Sequence, residues 1–329
     1  MSTDQGDRIL RIGYHCSHEQ FPPSQLLRLV MRAEKVGFNA ALSSDHFKPW
    51  SEHNSESGYA WSFLGAAMQA TSLPFGIVCA PGQRYHPAIV AQKIATLEEM
   101  FPNRFWTALG SGQLLNEGVT GQPWPPKDIL NDRLAQSAMV IKRMLRGEDV
   151  THRGLITAES ARLYTLPEAL PPILGAAQTE ATARLIGEWA DGMIVTSMPH
   201  EQLKRMIESF HKGGGRKKPI VMKCQLSYSH ELEYADEGAW DQWRTHVFPS
   251  SITTEIEHPK QFDELSGTVR KEDVRERVFI SSDVNDHIRM IEQYIGMGIT
   301  DIYLHNVNMK QEDFINEFGR KVLPVLFDS

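Results

Sequence analysis

Cysteine is scarce in this sequence: three residues among 329, Cys16, Cys79 and Cys224, lie far apart and show no CxxC spacing. An odd, dispersed set excludes a disulfide framework and reads as free thiols of a reducing compartment. Long apolar runs are lacking as well. Nothing approaches the ~18 consecutive apolar residues of a membrane-spanning helix, and Met1 to Arg8 is polar, unlike a signal peptide. A cytoplasmic protein with no membrane partner is expected. Basic charge is not in excess: Lys and Arg number 34 against 41 Asp and Glu, for a net charge of −7. A nucleic-acid partner is therefore disfavoured. Metal signatures are also missing. His15 and His18, His46 and His53, and His246 and His258 form no HxH or HExxH pattern, so neither a metal site nor metal-assisted hydrolysis is expected. No G-x-S-x-G nucleophile elbow occurs.

What is present is ordinary globular material, 41% hydrophobic and 23% charged. Short β-branched runs recur with helical stretches between them. Strands are expected at 8–14, 39–44, 75–80, 104–109, 172–177, 192–196, 219–228 and 301–307. After the first, Pro22 and Pro23 open a helix with Leu26, Leu29, Val30, Ala33 and Val36 on one face, closed by Gly37. Further helices are expected at 87–100, 132–145, 180–190, 202–211 and 284–295, the last capped by Ser282 or Asp283. A doubly wound open sheet shares this alternation. The count of eight favours one domain over residues 1–329, a closed (β/α)8 TIM barrel of the α/β class. Two segments interrupt the rhythm as insertions, 150–171 after strand four and 229–277 after strand seven. The second reads equally well as a shaper of the catalytic mouth or as a dimer-contact or surface elaboration.

Barrel chemistry gathers at the C-terminal ends of strands. The end of strand two reads Ser44-Asp45-His46-Phe47-Lys48-Pro49-Trp50. It offers an orienting carboxylate, a proton acceptor and an aromatic surface. An isolated Asp-His pair is more often a capped loop with a surface imidazole, but at a strand end the functional reading is favoured. Strand four ends in Gly110-Ser111-Gly112-Gln113, where a ligand can approach the backbone, although a lone Gly-x-Gly is a weak signal. Strand five ends in Ala177-Gln178-Thr179 before a helix. Its N–H groups could receive a phosphate, and Thr179 as a plain N-cap explains the same residues.

Together these segments carry a resemblance. Gly13-Tyr14 with Glu19-Gln20-Phe21, Ser44-Asp45-His46-Phe47 with Pro49-Trp50, Arg84-Tyr85 with Pro87-Ala88, Phe101-Pro102-Asn103-Arg104, Gly110 to Glu117, Ala190-Asp191-Gly192 and Thr196-Ser197 stand in order. The chain resembles the deazaflavin-dependent glucose-6-phosphate dehydrogenases and their relatives in the luciferase-like monooxygenase superfamily. The resemblance implies a flavin or deazaflavin across the barrel mouth of an oxidoreductase, and a homodimer. It implies that Asp45 holds the cofactor, that His46 acts as base or stabiliser beside the transferred hydride, and that Trp50 lines the site and stabilises the developing intermediate. It further implies a cis peptide between Ile77 and Val78 pressing on the ring, with Gly112, Asn116, Ala177, Gln178 and Thr179 at the cofactor. Glu19, Thr196 and Arg277 would face the substrate.

Departures from the family pattern redirect the chemistry. Gln113 replaces the catalytic glutamate, and an amide cannot serve as a carboxyl acid. Pro199 and Thr253 replace two lysines of a substrate-phosphate clamp, leaving Arg277, which argues against glucose 6-phosphate. Gln178-Thr179 replaces Gly-Gly, and Ala80 replaces a threonine. These changes favour FMN, with 8-hydroxy-5-deazaflavin as the alternative and NAD(P)H as a candidate reductant. The function expected is hydride transfer to or from a small organic substrate, with a monooxygenase reaction open. A non-catalytic flavin-binding barrel is the second reading.

Overall fold

Residues buried on both faces mark the strands of a parallel barrel, because helices cover the outside and side chains fill the inside. The computed structural model describes residues 9–53 and 56–328. Its strands are β1 (Arg11–Cys16), β2 (Ala40–Ser44), β3 (Phe75–Cys79), β4 (Phe105–Leu109), β5 (Val150–Arg153), β6 (Thr157–Ala161), β7 (Ile173–Ala176), β8 (Met193–Thr196), β9 (Ile220–Ser227), β10 (Phe279–Ile280) and β11 (Asp301–Asn306). The main sheet runs β10-β9-β11-β1-β2-β3-β4-β7-β8, and β8 also pairs with β9. That last pairing closes eight parallel strands into a ring. β10 adds to β9 at its edge, while β5 and β6 form a separate antiparallel hairpin. The closed (β/α)8 barrel expected from the strand count is the fold observed.

Alternation sorts the strand residues into two sets. One set, with Ile12, Tyr14, Phe75, Ile77, Met222 and Cys224, packs against the surrounding helices. The other, with Ala40, Leu42, Trp106, Ala108, Leu174, Ile194, Val221 and Tyr303, fills the barrel. Its two large rings fit because two glycines face them. A Cβ on Gly76 would lie 2.1 Å from Trp106 Cζ2, and one on Gly13 would lie 2.3 Å from Tyr303 Cδ1. The rings are linked by Trp106 Nε1 donating to Tyr303 Oη at 3.2 Å.

Helix Pro23–Lys35 begins with proline and buries Leu26, Leu29, Val30 and Ala33, the spacing of one helical face. Asp283, one of the two expected caps, accepts from the Asn285 amide at the start of helix Val284–Gly296. Helix Ala60–Ala70 after β2 has no sequence counterpart above. It is apolar nearly all round and has no side-chain cap, so neither signal of an amphipathic helix is there to read. The first insertion holds the β5–β6 hairpin. The second holds helices Leu232–Trp243, Ser250–Thr253, Pro259–Ser266 and Lys271–Arg275.

Two expectations are corrected. The first strand starts at Arg11, and Arg8 lies outside the described residues. The Ile77–Val78 bond is not cis. β3 pairs continuously with β2 and β4 through both residues, so the ladder leaves no bulge there. Ile77 faces the helices and only Val78 turns to the barrel.

Candidate active site

Toward the C-terminal end of the ring, the inward-facing residues change character. Leu42, Ala108, Leu174, Ile194 and Val221 are buried, whereas Val78, Gly110, Ala176, Thr196 and Lys223 above them are half-exposed. The barrel therefore opens there into a depression with two unlike flanks.

One flank is small and apolar: Val78, Ala80, Gly110, Gly112 and Ala176 from the ends of β3, β4 and β7, with Ala177 buried behind it. Gly112 adopts φ +86°, where side chains are strained, and a Cβ there would come within 2.9 Å of Glu117 Cγ and 3.3 Å of Ala80 Cβ. Glycine is thus required at this position by both the backbone conformation and the neighbouring side chains. Gln113 follows half-exposed at the start of helix Leu114–Glu117, with Asn116 Nδ2 at 3.5 Å from its Oε1.

The other flank is polar and aromatic. Glu19 lies in the turn after β1, and its Oε1 accepts from Nδ1 of His46 in the loop after β2. Burial alone would raise the Glu19 carboxyl, but the His46 imidazole and the Lys223 ammonium outweigh it and hold it well below the usual carboxylate range. An ionised carboxylate only accepts, so Nδ1 carries the proton of this bond, and in the neutral ring that tautomer presents a lone pair at Nε2. Nε2 has no protein partner among the described residues. Ser17 Oγ donates to the other Glu19 oxygen at 3.2 Å.

Trp50 stands edge-on to His46 at 5.8 Å between ring centroids. The second insertion fixes it there: His246 packs on it at 4.9 Å and Phe262 at 5.0 Å. Ser51 Oγ donates to Asp263, and Leu114 N donates to Thr254 O at 3.0 Å. The insertion thereby packs against the loop after β2 and the helix after β4.

Behind this layer, His15 and His305 face each other at 4.4 Å, and Trp243 stacks on His246 at 4.0 Å. Burial, reinforced by neighbouring positive charge, pushes His15 and His305 well below the usual imidazole range and His246 down to about 3. Lys223 reaches into the same group, 5.6 Å from the Trp243 ring centroid. None of these five was singled out above except as part of the failed metal spacings. The signal was available for Lys223: it interrupts Ile220-Val221-Met222 and Cys224 at an inward position of an otherwise buried strand.

Other candidates engage protein groups. Asp45 points outward from the barrel, where its carboxylate accepts from Trp61 Nε1 at 2.9 Å and Tyr85 Oη at 3.2 Å and lies 3.4 Å from the Arg84 guanidinium. Asn116 Oδ1 accepts from the amides of Phe47 at 2.7 Å and Lys48 at 3.1 Å. Both residues thereby hold the His46 loop in place. Thr179 caps its helix by accepting from Thr182 N at 3.2 Å, and Gln178 beside it is exposed. Thr196 is half-exposed at the end of β8 and pairs in register with Lys223. Pro199 starts helix His200–Phe210, Thr253 is buried in the insertion, and Arg277 lies exposed in the turn before β10. Among the described residues no group of three or more His, Cys, Asp and Glu side chains is arranged to hold a metal, and no helix is long and apolar enough to cross a membrane.

Comparison with known proteins places this geometry. Residues 10–301 match the family described as luciferase-like monooxygenase. The chain is 30% identical over 328 residues to the F420-dependent glucose-6-phosphate dehydrogenase of Beutenbergia cavernae, spanning 97% of this chain and 98% of that protein. It is 31% identical to the protein of that name from Microbacterium testaceum, over 96% of this chain and 97% of the relative. A solved F420-dependent secondary alcohol dehydrogenase, in complex with an F420-acetone adduct, superposes with a TM-score of 0.89 at 28% identity, over 96% of this chain and 98% of that one.

Proposed function

The chain belongs to the luciferase-like monooxygenase family and is an oxidoreductase, and we propose that it is a deazaflavin-dependent dehydrogenase interconverting a small alcohol and its carbonyl compound. The observation that carries this reading is the Glu19–His46 pair at the barrel mouth, with Nε2 of the imidazole unclaimed. The relatives described above are named for F420, a deazaflavin, and this supports that cofactor over the FMN favoured by the sequence departures.

The residues present fit such a group. Half-exposed Val78, Ala80, Gly110, Gly112 and Ala176 form a flank without bulky side chains, against which a tricyclic ring can lie. A bound deazaflavin would supply the two-electron hydride acceptor and react poorly with oxygen. This chain's residues would do the rest. His46 Nε2 takes the hydroxyl proton as the carbinol carbon gives up hydride and the C=O bond forms. Glu19 stabilises the resulting imidazolium and keeps the ring in the tautomer that presents a lone pair. Trp50, wedged between His246 and Phe262, walls the site and limits water. Gln113 can orient an oxygen by hydrogen bonding but moves no proton.

Glucose 6-phosphate is not the substrate proposed. Pro199 and Thr253 carry no charge and Arg277 is exposed, so no three-cation clamp is assembled. The test is titration of the purified protein with F420 and with FMN, followed by addition of secondary alcohols. Binding of F420 and bleaching of its visible absorption are expected. FMN binding without F420 binding would overturn the proposal, and F420 binding with no reduction by any alcohol would favour the non-catalytic barrel.

A further inference from the structure

The alcohol chemistry above leaves one charged group of the mouth without a task. Lys223 sits on β9 two residues beyond Val221, on the same inward face, with Thr196 of β8 and Tyr303 of β11 beside it in register. Its surroundings are Trp243, whose ring centroid lies 5.6 Å from Nζ, the imidazoles of His15, His305 and His246, and the carboxylate of Glu19.

Nζ makes no hydrogen bond and no ion pair among the described residues. Glu19, engaged by His46 and by Ser17 at 3.2 Å, lies beyond ion-pair distance of it. An ammonium held at the mouth by an aromatic face and no hydrogen-bond acceptor is available to a ligand that supplies one. The side chain is half-exposed, so the depression gives access to it.

We propose that Lys223 anchors a carboxylate of the substrate, so that the alcohol oxidised at His46 is a small hydroxy acid and the product an oxo acid. This rests on the dehydrogenase reading of the site and narrows its substrate class. A monoanion is favoured over a dianion: Lys223 is one ammonium beside the Glu19 carboxylate, and a phosphate dianion would bring twice the negative charge of a carboxylate against Glu19. Lys223 and His46 both act on Glu19, which places the anchored carboxylate and the reacting hydroxyl on the same flank of the mouth. Burial lowers the Lys223 ammonium toward its neutral form, and a carboxylate seated on it favours the charged form again.

The test uses the full-length protein and its tryptophan fluorescence, to which Trp243 beside the proposed anchor contributes. 2-Oxobutanoate is titrated against its neutral analogue butan-2-one, into wild type, Lys223→Met and Lys223→Gln, with and without F420. Denaturation midpoints confirm that the variants fold. Wild type is expected to bind the acid at least tenfold more tightly than the ketone. Either variant should abolish that difference while leaving ketone binding unchanged. Equal binding of acid and ketone by wild type overturns the proposal, as does a variant that keeps the preference. A variant that weakens both ligands equally also overturns it, because Lys223 would then act only through Glu19. Turnover with 2-hydroxybutanoate and butan-2-ol separates this proposal from the reading beneath it. If neither reduces F420 while acid binding still depends on Lys223, the dehydrogenase reading fails and the anchor stands.

Discussion

His46 donates through Nδ1 to Glu19 Oε1 although 27 residues separate them in the chain. Adjacent strands bring them together: β1 and β2 pair from Gly13↔Ala40 to Cys16↔Ser43, so the turns that follow both strands emerge side by side. The partner on each side is then fixed by its own anchor. Asn116 holds the Phe47 and Lys48 amides, and Ser17 holds the second oxygen of Glu19.

Removing the base should therefore cost more than loosening it. His46→Ala is expected to lower kcat by about 10²–10⁴-fold, the usual worth of a positioned general base. Glu19→Gln frees the tautomer that the carboxylate enforces, so a smaller loss is expected, with a changed pH profile of kcat. Steady-state kinetics from pH 5 to 9 would check both. Full activity of His46→Ala would remove the imidazole from the mechanism.

Gln113 should behave differently. Because an amide transfers no proton, Gln113→Ala is expected to change kcat less than about tenfold, with any larger effect in KM. A loss in kcat matching that of His46→Ala would show that Gln113 touches the reacting atoms.

Buried histidines set the acid limit of stability. Burial pushes His18 and His287 down to about 4 and His246 down to about 3. An unfolded chain takes up these protons near the ordinary 6.5, before the native state does. Stability is therefore expected to fall steadily as pH drops from about 6.5 to about 4, by up to about 1.4 kcal/mol per pH unit for each histidine. Glu19 acts in the same direction at lower pH, since its native carboxyl stays ionised below the unfolded value. Denaturant midpoints between pH 7.5 and 4.5 test this. His287→Phe should flatten the slope, and an unchanged slope would show that His287 does not contribute.

The barrel filling makes its own prediction. Gly76→Ala places a Cβ 2.1 Å from Trp106 Cζ2 and should destabilise the protein by about 1–3 kcal/mol. Gly65→Ala, in helix Ala60–Ala70 with nothing within 4 Å of the new Cβ, should instead gain up to about 1 kcal/mol. Urea denaturation of the two variants should move the midpoint in opposite directions. A common direction would contradict the packing.

Amphipathic spacing in 23–35, β-branched runs before each turn and polar residues at strand ends were enough to place eight strands, most helices and the His46–Trp50 loop. Such patterns are local, and they record whether each residue meets water or core. Helix 60–70 escaped because its exposed face, Ser62, Ala66, Gln69 and Ala70, is half alanine, so polarity barely marks the side that meets water.

The roles of Asp45 and Asn116 were not legible from position alone. Both stand next to the mouth in sequence, but pleat direction turns Asp45 outward to Trp61 and Tyr85, and Asn116 is drawn to the loop amides. Lys223, His15, His246 and His305 show the converse. Each is an isolated polar residue in its own segment, and only the pairing of β9 with β11 and of β11 with β1, with the insertion folded back, gathers them around one depression. The sequence by itself determined the barrel, its family and the loop that bears the base. The tertiary structure alone decided which lone side chains became neighbours, because a chain's periodicity encodes burial along one element whereas a site is built from distances between many.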